Sequence, residues 1–296
     1  MLKLKELREK WGYSQKQIAE MLDTTQQTIA RWEAGKAEPS LAALRDLAVA
    51  LNTTVDFLVG RKSILPNQTV DPLAWLKNDD SGFWGHVGLR LPQNALSMWY
   101  PVSTATMKEV YRAVQSDKWV SFQTLNNKMI IFRCSAVQSA TFLDEADDGV
   151  CGEDWELTPD AVEGWSEEIY RCLDEFSLGE PSAAEGKFSE RLIEVTAALI
   201  KKHDLDEAKL RDICDNTRIY GLDGMARSVV ASPDKIAGVF ITFDIDSDQP
   251  DSEMILLDDD YGERDLFFSI AQIALIEFPL LKLKEGLDEE MGKLET

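Results

Sequence analysis

Thr25, Gln26, Gln27, Thr28 and Arg31 fall within one seven-residue stretch, and Lys36 follows shortly after. Their hydroxyl, amide and guanidinium groups share one competence, directional hydrogen bonding to planar polar edges. A Gln amide can pair bidentately with adenine, and an Arg guanidinium with guanine, in the major groove of duplex DNA. A helix that served only as a core element would not need long polar side chains gathered on one face.

Other chemistry is sparse. The two histidines, His86 and His203, are isolated in sequence, and the four cysteines (Cys134, Cys151, Cys172, Cys214) form no C-x-x-C pair. That spacing suits neither zinc nor a small disulfide scaffold, and it reads as reduced thiols in a cytoplasmic protein. Asp244, Asp246 and Asp248 alternate like the start of a calcium loop. Gln249 and Ile255 then stand where that loop needs Gly and Glu. Asp258-Asp259-Asp260 reads as a turn, and Asp204, Asp206, Glu207 and Lys209 sit in helix-like sequence that a nuclease pair would not use. Ser97 lacks the preceding Gly-Asp of a self-cleaving Ser-Lys site. No catalytic set, metal or cofactor is expected, and six tryptophans from Trp75 to Trp165 read as core before pocket.

The polar cluster needs a frame, and five short helices between residues 3 and 59 supply it. Leu4, Leu7 and Trp11 share one helical face, and Gly12 suits a left-handed helix end. Ser14 is a good N-cap for a second helix that carries Ile18, Ala19 and Leu22 inward. Asp23-Thr24 makes a tight turn into a third helix, Thr25 to Ala34, with Ile29 and Trp32 on its buried side. A fourth helix follows Pro39-Ser40 with Leu41, Leu44, Leu47, Ala48 and Leu51 as its stripe, and Thr54 caps a fifth holding Val55 and Leu58.

The run Ser14-Gln15-Lys16-Gln17-Ile18-Ala19-Glu20, then Thr24-Thr25-Gln26-Gln27-Thr28-Ile29-Ala30-Arg31-Trp32-Glu33-Ala34-Gly35, resembles the lambdoid repressor/Cro-type (XRE) helix-turn-helix family. Lys36-Ala37-Glu38-Pro39-Ser40 and Val55-Asp56-Phe57-Leu58 fit the same pattern, over about residues 2–60. The resemblance implies that Gln15 contacts phosphate and braces the recognition helix. It implies that Thr25, Gln26, Gln27, Thr28 and Arg31 lie on the base-reading side, and that Lys36 meets phosphate. Trp32 and Glu33 are expected to be structural, Glu33 by local pairing.

Charge is divided unevenly along the chain. The net charge is −22, yet residues 1–62 carry ten Lys/Arg against eight Asp/Glu. Residues 63–296 carry twenty-one against forty-five. A polyanionic partner therefore favours the N-terminal part and is repelled by the remainder. The charged start Met1 to Glu6 argues against a secretion signal. The most apolar run, Leu266 to Leu283, is broken by Gln272, Glu277 and Pro279, so no membrane span or membrane partner is expected.

The fold class expected is α+β overall: an N-terminal all-α five-helix helix-turn-helix bundle, then an α+β region with antiparallel β-meanders. The boundaries expected are a DNA-binding domain at 1–62, a linker at 63–85, an α+β domain at 86–180 and an acidic α+β domain at 181–296. Thr106 starts a helix in a capping-box spelling. Trp119–Leu125 and Lys128–Cys134 form a hairpin across Asn126-Asn127, and Val137–Leu143 is a third strand. Helices are expected from Thr158-Pro159 through Phe176 and around Phe188 to Leu199. Strands are expected at Arg218–Leu222, Ala226–Ala231, Ile236–Ile245, Met254–Leu257 and Leu266–Phe278, then a tail helix at Lys282–Lys293. Ile130-Ile131-Phe132, Val137 and Phe142 echo Leu266-Phe267-Phe268, Ile273 and Phe278 at equal offsets, as in a duplicated, Sm-like small barrel.

The function this implies is a cytoplasmic, sequence-specific DNA-binding transcriptional regulator. It is expected to act as a repressor and homodimer on a pseudo-palindromic operator in double-stranded DNA. The acidic region would dimerise, sense a small-molecule effector or hold a protein partner. Two alternatives stand beside it: an antitoxin-like or defence-system regulator whose acidic region masks a protein, and a DNA-targeted enzyme.

Overall fold

The computed structural model describes residues 2–61, 82–94, 97–115, 118–144, 164–177, 184, 186–244, 254–258 and 265–294. These group into two compact units: residues 1–69 with 165–210, and residues 70–164 with 211–296.

The first unit opens with the five expected helices: α1 (Leu4–Lys10), α2 (Gln15–Met21), α3 (Gln26–Glu33), α4 (Leu41–Ala50) and α5 (Val55–Val59). Ser14, Thr25, Ser40 and Thr54 each accept a bond from a backbone N–H three residues on, so four of the five starts are capped by a hydroxyl. Leu4, Leu7, Ile18, Ala19, Ile29, Leu47, Ala48, Leu51 and Leu58 form one core, with Trp11 and Trp32 packed against it. Leu41, expected in the apolar stripe, is instead exposed.

Two later helices belong to the same unit: α7 (Glu167–Ser177) and α8 (Glu190–Lys202). The expected helix at Thr158–Phe176 is observed from Glu167; residues 164–166 are irregular, and residues 158–163 lie outside the described residues. The docking point is Arg45 on α4. Its Nε lies 3.2 Å from the buried Glu168 carboxylate, its guanidinium sits 4.2 Å over the Phe188 ring, and it donates to the Lys187 carbonyl. Beside it, the Ser189 hydroxyl donates to Asp46 at 2.6 Å. The five helices keep a core of their own, and α4 also presents part of its polar surface to α7 and to the segment before α8.

Glu168 is only 1% exposed, and burial pushes its carboxyl up to about 7 against the pull of Arg171 and Arg45. The folded group holds its proton at pH values where the unfolded chain has released it. This unit therefore loses stability as pH rises from about 4.5 to about 7. Thermal melts across that window should show a decline that Glu168→Gln flattens, by on the order of 1–3 kcal/mol between the two ends. Parallel curves for both proteins would refute this origin.

The second unit holds all ten strands among the described residues. They are β1 (Phe83–Arg90), β2 (Met98–Ser103), β3 (Trp119–Gln123), β4 (Lys128–Arg133), β5 (Ser139–Asp144), β6 (Asn216–Gly221), β7 (Ala226–Val230), β8 (Met254–Asp258), β9 (Asp265–Ser269) and β10 (Ile273–Pro279). Its helices are α6 (Thr104–Ala113), α10 (Pro233–Asp244) and α11 (Leu280–Leu294). A further helix, α9 (Glu207–Cys214), spans the boundary between the units. The strand orders are β2-β1-β5, β3-β4-β10-β6-β7 and β8-β9, and all pairings are antiparallel.

This topology does not divide the chain at 180. β4 pairs with β10, more than a hundred residues on, and β10 pairs with β6, so the central sheet is drawn from both halves. A boundary inferred from composition cannot register such long-range pairing. The expected linker also ends early, since β1 begins at Phe83, and residues 63–81 lie outside the described residues. β1 and β2 were not anticipated. Gly85 and Gly88 weaken the strand signal of β1, yet Gly88 is needed, because a Cβ there would meet the Trp99 ring at 2.7 Å.

Of the strand expected at Ile236–Ile245, Ile245 lies outside the described residues, and residues 236–244 lie in helix α10. Its β-branched composition is misleading; Ile236, Ala237, Val239 and Phe240 are all buried at helical spacing, and Pro233 suits a first turn. Leu266–Phe278 is two strands parted by a 3-10 turn at Ile270–Gln272. The Asn126-Asn127 hairpin is as expected, with Asn127 at φ 62°. The helix expected at Thr106 begins at Thr104, and Ser103 is its cap.

The C-terminal helix α11 is not a loose tail: Leu283 and Leu287 are buried and the helix packs along α10. A Cβ at Gly286 would lie 1.9 Å from the Pro233 carbonyl oxygen and 2.9 Å from Ala237 Cβ. Gly286→Ala should therefore destabilise this unit by about 1–3 kcal/mol, despite alanine's higher helix propensity. A denaturant midpoint equal to or above that of the wild type would refute the close contact.

Glu277 ties the central sheet together. The Tyr100 hydroxyl donates to it, Lys128 Nζ lies 3.3 Å away and Arg218 3.9 Å away, and Arg218 also pairs with Asp212 at 2.6 Å. Burial, and then the Glu277 charge, hold the Tyr100 hydroxyl well above its ordinary value. Among the described residues no helix is long and apolar enough to cross a membrane.

Candidate nucleic-acid interface

Helix α3 is held by its two neighbours in sequence. The turn after α2 passes through Asp23 at φ 50°, and Gly35 at φ 66° ends α3. Lys36 N–H closes that end by donating to the Arg31 carbonyl at 2.9 Å. At the other end the Thr25 hydroxyl accepts from the Thr28 N–H at 3.2 Å and lies 2.9 Å from the Thr28 hydroxyl.

One polar node fixes α3 against α1 and α2. Arg8 Nε donates to Glu33 Oε1 at 2.6 Å, and Arg8 Nη2 donates to Glu33 Oε2 at 3.2 Å. Gln15 Nε2 donates to the same Oε2 at 2.9 Å, and Arg8 Nη1 donates to the Tyr13 carbonyl at 2.8 Å. The Arg8 and Glu33 side chains are 11% and 6% exposed. Burial opposes ionisation of Glu33, and the bonds from Arg8 and Gln15 overcome it, so its carboxyl sits below its ordinary value. Glu33 thus pairs with a residue on α1 and not locally. Gln15 donates one amide N–H to Glu33 and so braces α3 from the start of α2.

The expected reading residues divide into two groups. Thr25 and Thr28 spend their hydroxyls on the helix cap, and Thr28 is half-buried. Gln26, Gln27, Arg31 and Lys36 are exposed, and their side chains have no intramolecular partner among the described residues. At 100° per residue, Gln26, Ala30, Ala34, Gln27 and Arg31 span about 140° of the helix surface. The two alanines lie between the long polar chains and let the helix backbone come close to a partner. Ile29 and Trp32 face the core on the other side. Such a helix is rigid at its base, and its polar valences are unspent at its surface.

The Arg8 part of the brace was not anticipated. Its signal was available: Arg8 follows Leu7 at the edge of the buried face of α1, where an unpaired cation would be costly. Arg45 and Asp46, which meet α7 and α8, gave no such signal, because their partners lie more than a hundred residues away.

A helix-turn-helix family model matches residues 4–58, the five-helix span just described. Over 80 residues the chain is 38% identical to the HTH-type transcriptional regulator AnsR of Bacillus subtilis, covering 26% of this chain and 68% of that protein. The chain belongs to the helix-turn-helix family. It is also 42% identical over 57 residues to YonR, the SPbeta prophage-derived uncharacterized HTH-type transcriptional regulator of Bacillus subtilis. That match covers 19% of this chain and about half, 53%, of YonR. No solved structure matches this helix-turn-helix protein. The family model's match ends at residue 58, and the strands of the second unit lie outside it.

The acidic groupings of the sequence offer less. Asp206 accepts the Lys209 N–H at 2.8 Å, capping the first turn of α9, while Lys209 Nζ donates to the Asp204 carbonyl at 2.8 Å. The alternating Asp244–Asp248 run and Asp259-Asp260 lie, but for Asp244, outside the described residues. Among the described residues no group of three His, Cys, Asp or Glu is placed to hold a metal ion. His86 is buried with its ring edge-on to Phe83, and His203 ends α8 beside Trp165. Cys134, Cys172 and Cys214 are thiols.

Proposed function

We propose that this protein is a sequence-specific, DNA-binding transcriptional regulator that acts as a repressor. The observation that carries the reading is the surface of α3. Gln26, Gln27 and Arg31 stand exposed on one face, with no side-chain partner among the described residues, on a helix that Arg8, Glu33 and Gln15 hold rigid. That face enters the major groove, where amide and guanidinium groups discriminate base edges. Lys36 and the backbone amides at the start of α2 take phosphates and set the register.

The acidic second unit stays off the DNA by repulsion. It contributes pairing and the sensing of an effector or partner, so that two readers meet half-sites about one helical turn apart on a pseudo-palindromic operator. The cytoplasm is the compartment in which such a reader finds its target in a cell without a nucleus.

Selection of bound fragments from a random duplex pool, with the full chain at moderate salt, tests the reading. An enriched motif of short, symmetric half-sites is the expected result. Retention of all duplexes alike, or of none, would overturn it. The full chain is the right material, because α7 and α8 complete the first unit.

A further inference from the structure

The second unit is built twice. Residues 83–144 run β1, β2, α6, β3, β4, a 3-10 turn and β5, and residues 216–279 run β6, β7, α10, β8, β9, a 3-10 turn and β10. Pairings repeat with the order: β1 lies between β2 and β5 as β6 lies between β7 and β10, and β3–β4 corresponds to β8–β9. The 3-10 turns at Cys134–Ala136 and Ile270–Gln272 stand 136 residues apart. The sequence echo of Ile130-Ile131-Phe132 in Leu266-Phe267-Phe268 has the same offset.

One pairing is made only once. β4 of the first copy pairs antiparallel with β10 of the second, Phe132 opposite Leu275 and Ile131 opposite Ile276. The equivalent strands are β9, which corresponds to β4, and β5, which corresponds to β10. Both are edge strands: β5 ends the β2-β1-β5 sheet, and β9 pairs only with β8 among the described residues. Burial follows the same division. Every residue of β4 and β10 is buried, whereas β5 and β9 are largely exposed or half-buried, and Phe267 is 59% exposed. Met254, on the same face of the β8–β9 hairpin, is 53% exposed. Edge strands are ordinarily protected by Lys, Pro or an inward charge. β5 and β9 contain no Lys or Pro, and the one charge in each is an Asp at the strand's end, Asp144 and Asp265.

We propose that β9 of one copy of this chain pairs with β5 of a second copy, repeating between chains the β4–β10 contact made within each. Carrying the observed register over by the offset sets Phe268 opposite Ser139, Phe267 opposite Ala140 and Leu266 opposite Thr141. The contact joins two different edges and is heterologous, so copies add head to tail and close into a ring when their rotation allows. It covers the Phe267 side chain. The assembly does not depend on DNA, and its test is independent of the DNA-reading proposal.

Full-length Ala140→Cys and Phe267→Cys proteins are purified, checked for fold by circular dichroism, mixed and oxidised without DNA. A disulfide-linked dimer above the wild-type background is expected from the mixture and from neither variant alone. No product beyond the wild-type level in the mixture overturns the proposal, as does equal product from one variant by itself, which signals a symmetric contact. Phe267→Lys places a charge at an exposed position and should lower the light-scattering mass of the assembly at least about twofold. A wild-type chain that is monomeric at its highest soluble concentration, or a mass unchanged by Phe267→Lys, also overturns it.

Discussion

Glu33→Ala is expected to lower the stability of the first unit by about 3–5 kcal/mol, the usual cost of removing one member of a buried ion pair. Arg8 would be left mostly buried with only the exposed Glu9 carboxylate, 3.4 Å away, as an anionic partner, and Gln15 would lose its acceptor. Three helices lose their common anchor at once. Denaturant unfolding followed by the fluorescence of Trp11 and Trp32, both packed on this core, reads the effect. Glu33→Gln should recover part of the loss, because a neutral amide can still accept one bond from Arg8. The pH profile gives a second reading. The Glu33 carboxyl is held below its ordinary value in the fold, so its contribution is complete above about pH 4.5. It is lost as pH falls through the lower folded value. A loss under about 1 kcal/mol for Glu33→Ala would show that the node is solvated and not a brace.

Arg31→Ala and Gln26→Ala are each expected to cost about 1–3 kcal/mol on the preferred duplex and to relax the choice of base at one position. Neither side chain has a partner among the described residues, so stability should stay within about 0.5 kcal/mol of the wild type. That combination separates a reading residue from a structural one. Lys36→Ala should behave differently, weakening all duplexes alike and reducing the salt dependence by about one counterion. Fluorescence anisotropy with specific and scrambled duplexes at several salt concentrations distinguishes the three. Equal losses on every duplex for Arg31→Ala and Gln26→Ala would remove base reading from α3. Thr25→Ala is expected to act through the cap and not through the bases, with a stability loss of about 1 kcal/mol.

Much of the candidate site was legible because its determinants are local. Ser14, Thr25, Ser40 and Thr54 cap helices through bonds that reach three residues. Ile18, Ile29, Leu47 and Leu58 declare their buried faces by a period that any short window contains. Gln26, Gln27 and Arg31 stand out for the same reason, as long polar chains opposite that face. The division of labour within the cluster was not legible. Whether Thr25 and Thr28 spend their hydroxyls on a cap or offer them to a ligand depends on a rotamer and not on a residue type.

In the strand-rich part the balance is reversed. The Asn126-Asn127 turn and the helix around Phe188 to Leu199 are local signals and lie where expected. Helix α10 was hidden by its β-branched residues, since tertiary packing against Gly286 of α11 outweighs intrinsic propensity there. β1 was hidden by glycines whose purpose is the closeness of Trp99.

The sequence by itself determined the five-helix reader, the polar face of α3 and the echo between two strand groups. These follow from contacts between residues a few positions apart, where hydrogen-bond geometry and hydrophobic period act within one turn or one hairpin. Only the tertiary structure decided that α7 and α8 join the reader, that Arg8 braces Glu33, and that β4 pairs with β10 while β5 and β9 remain edges. Those choices rest on burial and charge pairing between residues 25 to nearly 150 positions apart, and no local window contains both partners.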